Sequence, residues 1–306
     1  MYNEERKKKF LEDRKKNSAF GRSIFKATEQ VEEQYGMDLA LLPSEALQSV
    51  VNERLGIRTR SVGTAITFIK SYYTWCKENG FDVGNGIDGL SIQNEEKIRN
   101  TMVSSPKHLD ILLNSVFDPV QEETMDCIYR CFLWMAFSGM EDADAMEVKV
   151  DEIDFDDMLI RHNNGEYELY KESIAAFRKA CSLTEFVYVN PKYSKKVTRN
   201  RFPGEYLMRG IRSEKISLMT MRGIIGTHFR NNGLKISYNR IYLSGVFYRA
   251  YEMERAGFTP DFSVLAAERV ERIDRNYSEN YSKKKVTTAI EQDFIDDYSS
   301  WKQAFA

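Results

Sequence analysis

The chain has 306 residues, 42% of them apolar and 29% charged, with a formal net charge of -2. This is the composition of a globular chain long enough for two domains, and it excludes a disordered tail, a repeat fibre and a uniformly basic nucleic-acid binder. No run approaches the roughly 20 apolar residues of a membrane span, and the opening MYNEERKKKFLEDRKK has no apolar stretch behind its charges, unlike a signal peptide.

Four cysteines, Cys76, Cys127, Cys131 and Cys181, sit in apolar or helical settings without the spacing of a disulfide framework or a metal site. Reduced thiols packed in a core, in a cytoplasmic protein, are the expectation. Three histidines, His108, His162 and His228, are too scattered for a multi-histidine centre, and the acids from Asp142 to Asp157 lack the glycine and spacing of a calcium loop. No metal and no cofactor is expected.

Ser18 caps a predicted helix through Tyr35, Ser44 behind Pro43 caps a second through Arg54, and Thr59 or Ser61 opens a third that runs to Glu78. On the third, Val62, Ala65, Ile66, Ile69, Tyr73 and Cys76 form one apolar stripe. The opposite face carries Arg60, Thr64, Thr67, Lys70, Ser71 and Thr74. Hydroxyls and long cations without a carboxylate suit a phosphodiester backbone, although an ordinary amphipathic helix reads the same way. Gly80, Gly84, Gly86 and Gly89 then break the periodicity and mark a linker to about Asn100.

Ser105-Pro106 starts a further helix to Val116. Gln121–Ser138 is apolar nearly all round and reads as a buried central helix ending at Gly139. A short helix through Met146 and a strand near Asp154 follow, and the turn Asn163-Asn164-Gly165 joins DMLIRH to EYELY as a hairpin. Helices are expected near 172–182, 204–213, 217–232, 237–256 and 260–272. A final amphipathic segment, Val286–Phe305, carries an apolar stripe of Ile290, Phe294, Ile295, Tyr298, Trp301 and Phe305.

The charges are segregated. Residues 118–160 hold thirteen carboxylates against Arg130 and Lys149, whereas residues 192–250 hold thirteen bases against Glu205 and Glu214. Either the two blocks neutralise each other in the fold, or the basic block, rich in Arg, Tyr and Asn, meets phosphate.

Three segments carry a family resemblance: RSVGTAITFIKSYYTWCKENG, SGMEDADAMEVKVDEIDFDD and LMTMRGIIGTHFRNNG. In this order, across a glycine-rich linker, they resemble the tyrosine recombinase or phage integrase family. The resemblance implies a mainly α fold with a small antiparallel sheet, in two domains. Residues 1–82 would be a helical core-binding domain, 83–103 the linker, 104–285 a catalytic-like domain and 286–306 a C-terminal helix docking on its own domain or on a second copy.

In that family a tyrosine attacks the phosphodiester, two arginines hold its oxygens and a lysine or histidine protonates the leaving group. The first arginine position matches Glu141, the second Arg222; the family's histidines match Met219, Gly223 and Val246; Lys171 stands poorly for the lysine and Tyr251 or Tyr248 for the nucleophile. An anion where an anion must bind implies a scaffold without strand cleavage. The alternatives are an active recombinase using Tyr248, Tyr251 or Tyr277, and a protein-interaction module using the acidic block.

The chain further resembles the integrase-like repressors of SPbeta-type Bacillus prophages. That implies control of lysogeny through duplex operator DNA, a nucleoid location in the host cytoplasm, and a protein or peptide antagonist. The candidate DNA contacts are Arg58, Arg60, Thr64 and Lys70 in the first domain. In the second they are Lys195, Lys196, Arg199, Arg201, Arg209, Arg212, Arg222, Arg230, Asn231, Lys235, Tyr238 and Arg240.

Overall fold

The computed structural model describes residues 2–14, 18–54, 59–91, 95–117, 124–190, 195–274 and 283–306. In chain order, α1 (Glu4–Asp13), α2 (Ser18–Tyr35), α3 (Ser44–Arg54), α4 (Thr59–Glu78), α5 (Glu95–Arg99), α6 (Pro106–Val116), α7 (Asp126–Phe137) and α8 (Asp142–Ala145) come first. A three-stranded antiparallel sheet follows, β1 (Ile153–Asp154), β2 (Leu159–His162) and β3 (Gly165–Glu168), then α9 (Ile174–Ser182). A two-stranded ribbon, β4 (Glu185–Asn190) and β5 (Lys195–Asn200), precedes α10 (Leu218–Asn231), α11 (Tyr238–Arg255), α12 (Ser263–Asp274) and α13 (Lys283–Phe305). The fold is mainly helical with small antiparallel sheets, as the sequence implies. It divides into two compact units, Met1–Ile98 together with Asp261–Ala306, and Arg99–Pro260.

The first unit is built on an aromatic core. Phe10, Phe25, Phe68, Tyr72 and Trp75 meet mainly edge to face, with ring centroids 5.1–6.2 Å apart. Phe10 belongs to α1, a helix the charged N-terminal sequence did not announce. A buried ion pair also ties α1 down: Lys7 Nζ lies 2.5 Å from Glu32 Oε2, and both side chains are fully buried. Thr28 Oγ1 and the Leu39 amide also donate to Glu32, so its carboxylate is fully hydrogen-bonded. Burial nevertheless raises the Glu32 carboxyl above its usual range, against the pull of Lys7.

The C-terminal elements belong to this same unit. Phe294, Tyr298 and Trp301 of α13 are buried, the Phe294 ring stacks on Phe262 at 6.1 Å, and α13 packs on α12 and α4. The expected boundary at residue 285 therefore differs from the observed division. Phe262, just before α12, and Ala266 and Val270 on it form an apolar face that packs against α13, which draws residues 261–274 out of the second unit.

The second unit is centred on α7, whose residues are buried almost without exception from Cys127 to Phe137. Burial pushes the thiols of Cys127 and Cys181 up to about 11, the inert state expected of packed cysteines. Helix α11 crosses α7 with Gly245 against its backbone; a Cβ there would lie 1.7 Å from the Phe137 carbonyl oxygen. The β2–β3 hairpin turns through Asn163 and Asn164, both at positive φ, with His162 opposite Gly165. This is the two-residue loop the asparagines predict.

Two expectations are corrected. No helix forms over 204–213: Gly204 has φ 154°, and the segment spends its backbone groups elsewhere, with Phe202 N–H donating to Gly210 O, Leu207 N–H to Val148 O and Ile216 N–H to Met208 O. The ribbon β4–β5 stands where no strands were expected, although EFVYVN has the β-branched and aromatic content of a strand.

Lys7→Met leaves the buried Glu32 carboxyl without its counter-ion, and whether it stays charged or takes up a proton the cost is up to about 3–5 kcal/mol. Denaturant unfolding should show this loss, and Lys7→Met with Glu32→Leu should recover most of it.

Candidate phosphate and nucleic-acid site

The candidate site grows from the end of α7. The helix stops at Gly139, with φ 90°, and a Cβ there would lie 2.4 Å from Arg249 Nη2. Arg249 Nη1 donates to the Phe137 carbonyl at 2.6 Å, placing a cation at the helix C-terminus where the dipole favours it. Tyr238 donates its hydroxyl proton to the Met140 carbonyl at 2.9 Å, and its ring lies 4.4 Å from that of Phe132. The turn thus delivers Glu141 to the N-cap position of α8, with Asp142 and Asp144 in the first turn. Acids at a helix N-terminus are locally favourable, which accounts for this cluster without any ligand.

Arg222, on the exposed side of α10, reaches this turn. Its Nε lies 2.7 Å from Asp142 Oδ2 and its Nη2 also bonds that oxygen. Its carboxylate partner is Asp142, which α8 aims at α10. Met219, one turn earlier, is 80% exposed, and Gly223 carries no side chain. Lys171 is exposed on the turn after Tyr170. The Tyr248 ring packs 5.7 Å from Phe137 and 6.4 Å from Tyr170, and burial raises its hydroxyl above the usual value, opposite to an activated nucleophile. Tyr251 is half-buried with the Arg255 guanidinium 5.9 Å from its ring. Tyr277 lies outside the described residues.

The candidate DNA contacts separate into two groups. Arg201 is only 6% exposed: Nη1 donates to the carbonyls of Ala180 at 2.6 Å and Leu183 at 3.2 Å, and Nη2 to Leu207. It closes the end of α9 and is withdrawn from the surface. Burial and the neighbouring Arg209 lower its guanidinium to about 10. Arg209 is half-buried and donates to Gly204 O, and the half-buried Tyr238 gives its hydroxyl proton to Met140 O.

Thr64, Lys70, Lys196, Arg199, Arg212, Arg222, Arg230, Asn231 and Lys235 are exposed, and Arg240 is half-buried. Arg58 and the side chains of Arg60 and Lys195 lie outside the described residues. The two charge blocks also meet directly, through Asp142–Arg222, Glu147–Lys215 at 2.7 Å and Lys149–Glu205 at 2.7 Å. Arg161 holds Asp154, Asp157 and Glu166 together on the sheet. Among the described residues no group of three or more His, Cys, Asp or Glu is placed to hold a metal, and no helix is long and apolar enough to cross a membrane.

The first 78 residues match the family described as MrpR, N-terminal core-binding domain, a span that ends with α4. No curated protein matches the chain. Among solved structures it is similar to XerA recombinase, at 13% identity and TM-score 0.36 over 83% of this chain and 85% of that one. It is also similar to the Tn1549 transposon integrase in complex with circular intermediate DNA, at 9% identity and TM-score 0.35 over 84% and 88%. The integrase from mycobacterium phage Brujita shows 10% identity and TM-score 0.30 over 97% and 91%.

Asp142→Asn removes the counter-ion of Arg222. The variant should elute from heparin at higher salt than the unmodified protein, with a salt dependence steeper by about one phosphate contact.

Proposed function

We propose that this chain is a sequence-specific duplex DNA-binding protein that represses transcription, on a recombinase-like scaffold that does not cut. The observation that carries the reading is the pairing of Arg222 with Asp142 beside Glu141. A phosphodiester-cleaving site needs converging cations at that turn; here the arginine of α10 is neutralised and the adjoining residues are acids. Loss of a single such donor costs about a hundredfold to a thousandfold in rate. The candidate proton donors at 219 and 223 are a methionine and a glycine.

Binding without cleavage is the action of a repressor, since occupancy of an operator blocks access by itself. The match of residues 1–78 to a core-binding domain supports a DNA-contacting first unit, and the exposed Thr64 and Lys70 of α4 would serve it there. In the second unit Lys196, Arg199, Arg212, Arg230 and Lys235 supply phosphate contacts. Control of prophage lysogeny, and release by a protein or peptide antagonist, are the biological setting we propose for this activity. Self-association through α13 is not favoured, because Phe294, Tyr298 and Trp301 are buried within the chain's own unit.

A nicked duplex that traps covalent adducts separates the readings. The protein should retain the duplex in a gel shift without forming an adduct; an adduct at any tyrosine overturns the proposal in favour of a recombinase. Charge reversal of Lys196, Arg199 and Arg212 together should weaken binding and flatten the slope of log affinity against log salt by about three.

A further inference from the structure

The β4–β5 ribbon has no role in the site around Arg222, and its chemistry is unlike that of the three-stranded sheet. Its register pairs Glu185 with Asn200, Val187 with Thr198 and Val189 with Lys196, so these residues share one face of the ribbon. On β5 that face presents Lys196, Thr198 and Asn200 at every second position, all exposed. The other face begins with Phe186, fully buried, and so anchors the ribbon to the unit. Among the described residues, no hydrogen bond or ion pair engages the side chains of Thr198, Arg199 or Asn200, and β5 contains no acid.

The foot of the ribbon is held rigidly. The Thr124 amide donates to Val187 O at 3.1 Å, its Oγ1 accepts from the Val187 amide at 2.8 Å, and the buried Arg201 ends β5. A lone two-stranded hairpin is marginal in water, so this clamp is what presents the outward row in a fixed geometry. The sheet β1–β3 cannot offer the same surface, because its Arg161 is enclosed by Asp154, Asp157 and Glu166.

We propose that the β4–β5 ribbon enters the major groove of duplex DNA and reads two base pairs with Thr198 and Asn200, while Lys196 of the same row holds a flanking phosphate. This rests on the DNA-binding reading above and assigns its sequence specificity. The major groove admits a two-stranded ribbon. Residues two apart on a strand stand about 6.8 Å apart, the spacing of two base-pair steps at about 3.4 Å each. Asparagine bonds the N6 and N7 edge of adenine in a bidentate manner, and threonine offers a hydroxyl and a methyl group to a thymine edge. Glu185, the ribbon's acid, pairs across the ribbon with Asn200 and in this placement would face exocyclic amino groups of bases.

The test uses the full chain and a random-sequence duplex library. The unmodified protein should enrich a motif. Thr198→Val with Asn200→Ala should lose preference at two positions two steps apart, by roughly fivefold or more each, while affinity for an unrelated duplex stays within about twofold. Both side chains are exposed, so the thermal unfolding curve should be unchanged. Substitution of 7-deazaadenine at the adenine in the enriched motif should weaken the unmodified protein to a similar degree without any variant. An unchanged motif in the double variant, or indifference to the 7-deaza base, overturns the ribbon as reader. Duplex binding without any enriched motif overturns base reading alone, and no duplex binding at all overturns the DNA-binding reading with it.

Discussion

Helix α11 lies against α7 only because position 245 has no side chain. The Phe137 carbonyl occupies the space where a Cβ would stand, so the two backbones are in direct contact. From that contact the local geometry follows in order. Arg249, one turn further along α11, reaches the end of α7 and caps Phe137. Gly139 leaves room for its guanidinium and turns the chain, and Tyr238 fixes the next carbonyl. Only then does Glu141 sit at the start of α8 with Asp142 aimed at Arg222. The acid cluster is the product of a backbone contact several residues away.

The same chain of constraints explains what the segregated charges do. Part of the basic block is consumed internally: Arg222, Lys215 and Arg249 satisfy a carboxylate or a helix end, and Arg201 is wholly interior. Exposed pairs of this kind contribute little stability, on the order of 0–1 kcal/mol each. Their effect is on orientation and on local potential, since they join the α8 turn to the 205–222 segment. Lys196, Arg199, Arg212, Arg230 and Lys235 are exposed, on the ribbon, the irregular segment, the last turn of α10 and the join that follows it.

The first unit uses a different device. Its aromatic cluster is completed from the N-terminal side by Phe10 of α1 and accompanied by the enclosed Lys7–Glu32 pair. A buried pair is weak evidence for net stability, yet it is demanding about geometry, because each partner tolerates few alternatives. It holds α1 in one register against α2. At the other end of the chain the α12–α13 pair covers its apolar faces on the same unit.

Periodicity and capping alone determined most of the elements. Ser44 and Ser105-Pro106 open helices where they stand, the apolar run ending at Gly139 is the buried α7, and Asn163-Asn164 closes a hairpin. These signals are local, so one chain carries them unaided. Tertiary structure decided what local signals cannot hold: that charged α1 belongs to a core, that α12 and α13 join the first unit, that 204–213 is irregular, and that β4 and β5 pair. It also decided which cations are available. Arg199 and Arg201 are two residues apart in sequence and chemically identical, yet one is outward and the other closes a helix end, because burial and hydrogen-bond partners are set by elements distant along the chain.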